Sequence, residues 1–463
     1  MSPESFTPFK VRRPLGRAIL VVAVGAVTFG CGGYMAKTDG LRKALGSNST
    51  VTALEEANEA LGVDSAERLP QESDADTPLL LLERATILQA LGRYKLSARD
   101  FQVADKQLDV LDLTGDTAGK LGKYLFSDSA TVYKAPPYEK LLLNTMNMLN
   151  YLAQNNANGA MIEARRFLVN RRYLKRIEDK EAKSMLALGS FLAGVAFEAG
   201  GESEQAIRHF GDALDAGGVP GLAEAARALM QARNVTDSRL DELVAEAIAP
   251  QDSHGRLVIV IQAGMAPYKR PERIPIGAAI VASSNPNRRG HLSPAEQRRA
   301  NVFAAKGVLK WVNYPKLVRG IDRDGRVWAS VGQQRLNAGI ALDVALATKL
   351  HYEAYKGGMI AAAVVRLISR AVAGEASQAA GKKLSNSGIA GLLIGLAVEG
   401  AMTAADVPDT RSWVTLPGRY WLAYGDLPAG EHFVRVGVAG QVITRRITVT
   451  AGQTAVMNIS DIR

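Results

Sequence analysis

The sequence predicts an α+β protein in which an N-terminal α-helical solenoid precedes a mixed C-terminal part that holds β-strands and an Ala/Gly-rich helical pair. Three observations support this fold class. Residues 78–247 carry apolar side chains at helical spacing and repeat a helix–turn–helix pattern. Residues 256–264, RLVIVIQAG, are a β-branched run that ends in glycine. Residues 413–463 alternate apolar and polar side chains between Gly-containing turns.

The first element is a targeting segment. Four basic residues lie within the first 17 positions, and an uncharged apolar run at 18–30 ends at Cys31, the only cysteine of the chain. The run is shorter than the roughly 17 to 25 residues that span a bilayer, and the layout is that of a signal peptide. Small and apolar residues directly before Cys31 are typical of a lipoprotein processing site. We therefore predict a lipoprotein signal peptide at 1–30 and lipidation of Cys31, where two or three acyl chains form a stable anchor.

The destination follows from the residues after the cysteine. Gly32 and Gly33 follow Cys31, so the Asp that would retain a lipoprotein in the inner membrane is missing from the position directly after the cysteine. We therefore expect an outer-membrane lipoprotein that faces the periplasm. The alternatives are an uncleaved inner-membrane anchor, in which Cys31 has no role, and a cytoplasmic protein with a buried terminus.

Composition limits the class of protein. The chain of 463 residues is 47% hydrophobic and 22% charged, which is a globular composition. Loss of the signal lowers the formal net charge from +10 to +7. This charge is dispersed and suits anionic lipid or glycan as a neighbour, and we expect no nucleic-acid partner. With Cys31 acylated, no thiol remains for a disulfide.

Residues 31–77 predict a lipidated tether and a first helix, and residues 78–247 predict repeats. The segments 81–108, 144–171 and 190–217 align as helix, short turn and helix. Small and aromatic residues recur where the paired helices would cross, an arrangement that is similar to the tetratricopeptide repeat. An unrelated helical bundle is the alternative. The crossing positions are Ser97, Phe101 and Ala104, then Ala160, Ala164 and Phe167, then Ala206, Phe210 and Ala213.

Residues 248–463 predict a mixed domain. An Ala/Gly-rich stretch at 336–405 predicts a helical insert of two helices, the second of which is interrupted by Glu399 and is too short to span a membrane. Turn residues at 427–430, 438–440 and 451–453 predict terminal β-hairpins within 413–463.

Two stretches of sequence resemble a known family. Tyr-Glu-Lys at 138–140 precedes Glu-Ala-Arg-Arg at 163–166, and Asp-x-Arg-Ser-Trp at 409–413 precedes Leu-Pro. Together they resemble a family of poorly characterised bacterial envelope lipoproteins with an N-terminal tetratricopeptide-repeat region. The resemblance implies an exported lipoprotein and no particular reaction or ligand. The matching residues are Tyr138, Glu139, Lys140, Glu163, Arg165, Asp409, Arg411, Trp413, Leu416 and Pro417.

The residues of the 409–413 motif also allow a direct interpretation. We expect a structural clasp in which Arg411 pairs with an acid and Trp413 packs where the β-part meets the helices. A ligand site is the alternative. A second candidate is the basic run at 163–176, which is either a patch for a protein partner or an anionic polymer, or a solvated face balanced by the acids at 178–181. Its candidate partner-binding residues are Arg165, Arg166, Arg171 and Arg172.

Catalytic and metal-binding patterns are not found in the sequence. The five histidines are scattered and there is no second cysteine, so we expect no metal site, and Asp322 and Asp324 predict a turn rather than a calcium loop. We also find no P-loop and no nucleophile elbow. We therefore expect a non-enzyme that needs no cofactor.

The favoured hypothesis is a membrane-anchored periplasmic lipoprotein that acts as a protein-interaction scaffold or assembly factor for a cell-envelope apparatus. It would bind protein partners through its helical repeats and the lipid bilayer through Cys31. The alternative is a peptidoglycan- or glycan-binding module, or a regulator of cell-wall synthesis. An aromatic groove formed by Trp413, Tyr420 and Trp421 would favour the alternative, and burial of those rings in the core would count against it.

Overall fold

The helical periodicity of the first half produces a continuous series of helices in the computed structural model. The structure describes residues 33–110, 133–176, 185–248, 251–285, 290–322, 325–382 and 408–462. The predicted signal peptide and Cys31 lie outside this part of the chain. The helices before the first long strand are α1 (Tyr34–Lys37), α2 (Asp39–Gly46), α3 (Thr50–Ala60), α4 (Thr77–Ala90), α5 (Tyr94–Gln107), α6 (Pro137–Leu152), α7 (Ala157–Arg176), α8 (Leu186–Ala199), α9 (Ser203–Asp215), α10 (Leu222–Arg233) and α11 (Asp241–Ala245).

The second half mixes strands with three more helices, which makes the chain an α+β protein as predicted. The strands are β1 (Asp109–Val110), β2 (Lys134–Ala135), β3 (His254–Met265), β4 (Tyr268–Pro275), β5 (Trp311–Val318), β6 (Trp328–Val331), β7 (Gln334–Asp343), β8 (Pro417–Pro428), β9 (Gly430–Val438), β10 (Gln441–Val449) and β11 (Thr454–Asp461). The helices are α12 (Ile276–Ser283), α13 (Pro294–Ala305) and α14 (Val344–Lys382).

The helices pair as the repeated pattern predicts. Helices α4 and α5, α6 and α7, and α8 and α9 pack as hairpins, and each pair also contacts the next. All nine predicted crossing positions are fully buried. Glycine completes one crossing, because a Cβ on Gly189 of α8 would lie 2.3 Å from a ring atom of Phe167 on α7.

A seven-stranded sheet packs against this helical array. Its strand order is β10-β9-β6-β7-β8-β3-β11, and all neighbours are antiparallel except β3 and β11. Strand β3 is buried on both faces: Val258 and Val260 join the core shared with the helices, whereas Ile259 and Ile261 join a separate core within the sheet. Burial on both faces explains why this strand appears in the sequence as a continuous apolar run. The described residues from Gly33 onward thus belong to one compact unit.

A smaller module is built on the long helix α14. The hairpin of β4 and β5 and the helices α12 and α13 pack on it around their own apolar core. Helix α13 begins with a capping box formed by Ser293 and Glu296.

Three sequence predictions are wrong in detail. Residues 336–343 belong to β7 instead of the predicted helical insert, because they pair with β6 and β8. The turn at 427–430 does not form a hairpin, because β8 pairs with β3 and β7 while β9 pairs with β6 and β10. The turn at 451–453 does not form a hairpin either, because β10 pairs with β9 and β11 pairs with β3. Of the predicted terminal hairpins, β9 with β10, around the turn at 438–440, is formed.

The second helix of the predicted Ala/Gly-rich pair falls largely at 383–407, outside the described residues. Among the helices that the structure describes, none is both long and apolar enough to cross a bilayer.

Candidate functional site

The segment 409–416, just before β8, lies against α4 and joins the sheet to the helices through a buried carboxylate. Glu83 of α4 is fully buried and accepts hydrogen bonds of 2.8 Å from the backbone N–H groups of Val414 and Thr415. The hydroxyl of Tyr34 in α1 donates to the same carboxylate. Both carboxylate oxygens therefore have donors, and Glu83 connects three distant parts of the chain.

Trp413 fills the space beside this carboxylate. Its side chain is 2% exposed, its Nε1 donates to the Thr86 hydroxyl at 3.0 Å, and its ring meets the Phe101 ring edge-on at 5.9 Å. Thr86 lies on α4 and Phe101 on α5. Trp413 therefore packs where the β-part meets the first helical pair, as expected from the sequence.

Arg411 forms the ionic part of the clasp. Its guanidinium pairs with Asp409 at 2.7 Å and with Asp76 at 3.6 Å, and it lies over the Tyr133 ring at 5.7 Å. Burial acts to raise the pKa of Asp409, but hydrogen bonding and the charge of Arg411 outweigh it and lower that pKa. The acid partner predicted for Arg411 is thus confirmed.

Glu139 of α6 completes the buried cluster. Its carboxylate accepts a 2.8 Å hydrogen bond from the Tyr133 hydroxyl and one from the backbone of Trp413. Burial raises the pKa of Glu139 and that of Glu83 to about 7, although the hydrogen bonds that each accepts act in the opposite direction. We call the residues Tyr34, Glu83, Tyr133, Glu139, Asp409, Arg411 and Trp413 the junction cluster.

The other signature residues lie outside this cluster and connect helices. Tyr138 meets the His351 ring of α14 edge-on at 5.1 Å, and Lys140 pairs with Asp105 at 2.8 Å. Glu163 is buried and accepts hydrogen bonds from Asn144 and, at 2.8 Å, from Arg166. Leu416 and Pro417 are buried at the start of β8. The motif residues are thus structural ties in different parts of the helical array.

The four candidate arginines do not form one patch. Arg171 is 8% exposed and pairs with Asp212 of α9, so its guanidinium lies within the helical array. Arg165 and Arg172 are exposed, and Arg166 is half-buried against Glu163. The acids at 178–181 that were expected to balance the run lie outside the described residues.

Exposed residues of α7 form a stripe that the sequence analysis missed. Ile162 and Val169 are 48% and 65% exposed, and Arg165 and Arg172 are exposed beside them. Their spacing of three, four and three residues places all four on one face of the helix. We call Ile162, Arg165, Val169 and Arg172 the α7 stripe. The signal for this stripe in the sequence is the pair Ile162 and Val169, two large apolar residues that lie off the helix face formed by the buried Ala160, Ala164 and Phe167.

The aromatic groove proposed for glycan is not formed. Trp413 and Tyr420 are buried in the core, and Trp421 follows Tyr420 on β8, so these two rings point to opposite faces of the sheet. The glycan-binding alternative loses the observation that would have favoured it.

Asp322 takes part in an ion-pair network, while Asp324 lies outside the described residues. Its carboxylate pairs with Arg419 at 3.1 Å, and Arg419 also pairs with Asp343 at 2.9 Å beside a cavity of about 260 Å³. Across the described residues, no group of three His, Cys, Asp or Glu side chains is placed to hold a metal ion.

A further cavity opens where the two edge strands of the sheet separate. It has a volume of about 340 Å³ and lies between residues 445–448 of β10, residues 455–458 of β11, Tyr94 of α5, and Ala153 and Asn155 in the turn between α6 and α7. We call it the strand-edge cavity. Its signal in the sequence is Asn458, a polar residue between the apolar Met457 and Ile459.

Comparisons of the chain with protein-family models, with curated proteins and with solved structures find no match.

Proposed function

We propose that the chain is a non-catalytic, lipid-anchored scaffold or assembly factor of a bacterial envelope apparatus, facing the periplasm from the outer membrane. The lipidation signal at Cys31 supports the anchor and the compartment. The three stacked helical pairs with their nine buried crossing positions support a tetratricopeptide-like array, a type of framework that binds other proteins.

The surface available to a partner differs from the usual groove of such arrays. The first helix of each pair is covered by this chain's own sheet: Glu83 and Gln89 of α4 bond to residues 414–415 and Gln262, and Glu198 of α8 bonds to Arg256. The second helices therefore provide the exposed face of the array. We therefore propose that a partner contacts α5, α7 or α9.

The α7 stripe is the observation that carries the partner-binding role. Ile162 and Val169 expose apolar surface that nothing in the described chain covers. Arg172 and Arg165 lie beside them, and the exposed Arg165 also pairs with the exposed Glu202 at 3.0 Å. Apolar residues flanked by arginine are typical of the centre of a protein interface. We propose that the partner presents an apolar surface with acidic residues around it.

The anchor is tested by the intact mass of the protein extracted from membranes. Cleavage before Cys31 with added acyl chains, lost in Cys31→Ala, is the expected result. An uncleaved and unmodified chain would contradict the lipoprotein proposal and favour an inner-membrane anchor.

The partner surface is tested by a photo-crosslinking residue placed at Val169 in living cells. We expect one or a few defined crosslinked proteins that disappear when Arg165 and Arg172 are both replaced by Glu. The matched control places the same residue at Val51 of α3, which is 60% exposed. Crosslinks of equal pattern from both positions would argue against a specific surface.

A further inference from the structure

The strand-edge cavity exposes the backbone of two strands. In the seven-stranded sheet β10 pairs only with β9, and β11 pairs only with β3, so each lacks a second strand partner among the described residues. On β11 the backbone carbonyl oxygen of Asn458 accepts a 3.3 Å hydrogen bond from the Tyr94 hydroxyl, whereas the edge of β10 is the one open to an added strand. The two strands are consecutive in the chain, and residues 445–448 and 455–458 line the same cavity. A free strand edge offers unpaired N–H and C=O groups that can pair with an added strand.

A buried side chain without a partner lines this cavity. Asn458 is 7% exposed, and neither its amide nitrogen nor its amide oxygen has a hydrogen-bond partner within the described part of the chain. A carboxamide that donates and accepts at one point matches a peptide group, which also presents one donor and one acceptor. Buried polar groups are nearly always hydrogen-bonded, so Asn458 indicates a ligand with polar groups at this point.

The charge of the cavity is positive. Arg445 and Arg446 line it, and none of its lining residues is acidic. Arg446 forms an ion pair with the exposed Glu431 at 3.6 Å. The Arg445 guanidinium donates a hydrogen bond to the carbonyl oxygen of Thr444. A carboxylate on the ligand would give Arg445 a charge-assisted partner.

We propose that the strand-edge cavity binds an extended acidic peptide segment of a partner protein, which adds to the free edge of β10. Four residues of each strand line the cavity, which corresponds to about 13 Å of extended chain and therefore to about four residues of peptide. The peptide backbone pairs with the strand edge, a peptide group meets Asn458, and an Asp or Glu side chain meets Arg445. This site is separate from the α7 stripe and does not depend on the proposed scaffold function.

The test measures fluorescence polarisation of labelled peptides with the purified full-length protein. The probe is the peptide TVEVEVT, and its comparisons are TVKVKVT and the proline-containing TVEPEVT, which cannot pair fully along an edge. We expect TVEVEVT to bind at least about tenfold more tightly than either comparison. Equal binding of all three peptides, or no binding of TVEVEVT, would overturn the proposal.

Two variants separate the ligand contacts from the fold. Arg445→Glu should weaken binding of TVEVEVT by about tenfold and strengthen binding of TVKVKVT, while Arg298→Glu, an exposed arginine of α13, should change neither. Asn458→Leu should also weaken binding without lowering the melting temperature, because the native amide has no partner to lose. Unchanged affinity of Asn458→Leu for TVEVEVT would show that the edge is not a peptide site. The same conclusion would follow if the protein were a dimer in solution and the peptide bound only after the dimer dissociated.

Discussion

Replacing the two buried carboxylates of the junction cluster by amides should change how stability depends on pH. Glu83 and Glu139 are fully buried, and burial raises the pKa of each to about 7. In the unfolded chain the pKa of a glutamate lies near 4.3. The folded state therefore binds protons more tightly than the unfolded state between these two pH values, and the protonated carboxyls contribute stability there.

The sign and size follow from this difference. A raised pKa in the folded state adds stability at low pH, and that stability is lost as the pH rises through about 7. One pKa unit corresponds to about 1.4 kcal/mol, so each glutamate should cost about 2 to 3 kcal/mol of unfolding free energy between pH 5 and pH 8. His209 acts in the opposite direction: burial lowers its pKa to about 4, so its contribution to stability rises with pH up to its unfolded value.

The measurement is urea denaturation at pH 5 and at pH 8 of four proteins: the wild type, Glu83→Gln, Glu139→Gln and the double variant. Because His209 is present in all four, differences between them report the contribution of the two carboxyl groups alone. We expect the wild type to lose more stability than the double variant over this range, with the single variants between them. Glu55→Gln, the same change at an exposed position of α3, should behave as the wild type. Identical pH dependence in the wild type and the double variant would refute the reasoning.

Three further substitutions test the packing of the helices, each measured as the change in unfolding free energy by urea denaturation. Trp413→Ala should cost about 3 to 5 kcal/mol, because the ring is buried between the sheet and α5, and a cost below 1 kcal/mol would contradict this. Asp100→Asn should cost about 3 to 5 kcal/mol, because Arg84 and Asp100 are both fully buried and the change leaves an unpaired charge. Gly189→Ala should cost about 1 to 3 kcal/mol, because the new Cβ would overlap the buried Phe167 ring, whereas Gly33→Ala, with open space around it, should not.

The helical array was predictable because its signals are local. Apolar spacing identifies each helix, and small residues at positions such as Ala164 and Ala206 identify where two helices approach closely. Both signals depend on residues within one helix–turn–helix unit. Such local signals were enough to predict the crossing positions, all nine of which are buried in the structure.

Strand β7 was not predictable from the same kind of signal. Its sequence, QRLNAGIALD, is rich in residues that favour a helix or tolerate many conformations, and it leads directly into the long helix α14. Only pairing with β6 and β8 makes it a strand, and β8 lies far away in the sequence. Position 339 in the middle of β7 also needs a small residue, because a Cβ on Gly339 would lie 2.8 Å from Pro220. Long-range pairing outweighs local preference here.

The polar residues of the first helices carry the information that the sequence analysis did not use. Glu83, Gln89 and Glu198 are buried, or nearly so, on helices whose other residues are mostly apolar. In an open solenoid such residues would face a bound partner, and the sequence alone cannot distinguish a partner from another part of the same chain. Here they meet the backbone of residues 414–415, Gln262 and Arg256. Because burying unpaired polar groups costs free energy, these contacts fix the position of the sheet on the array. The outer face, with the α7 stripe, is the part of the array that these contacts leave open, and it is where we propose that a partner binds.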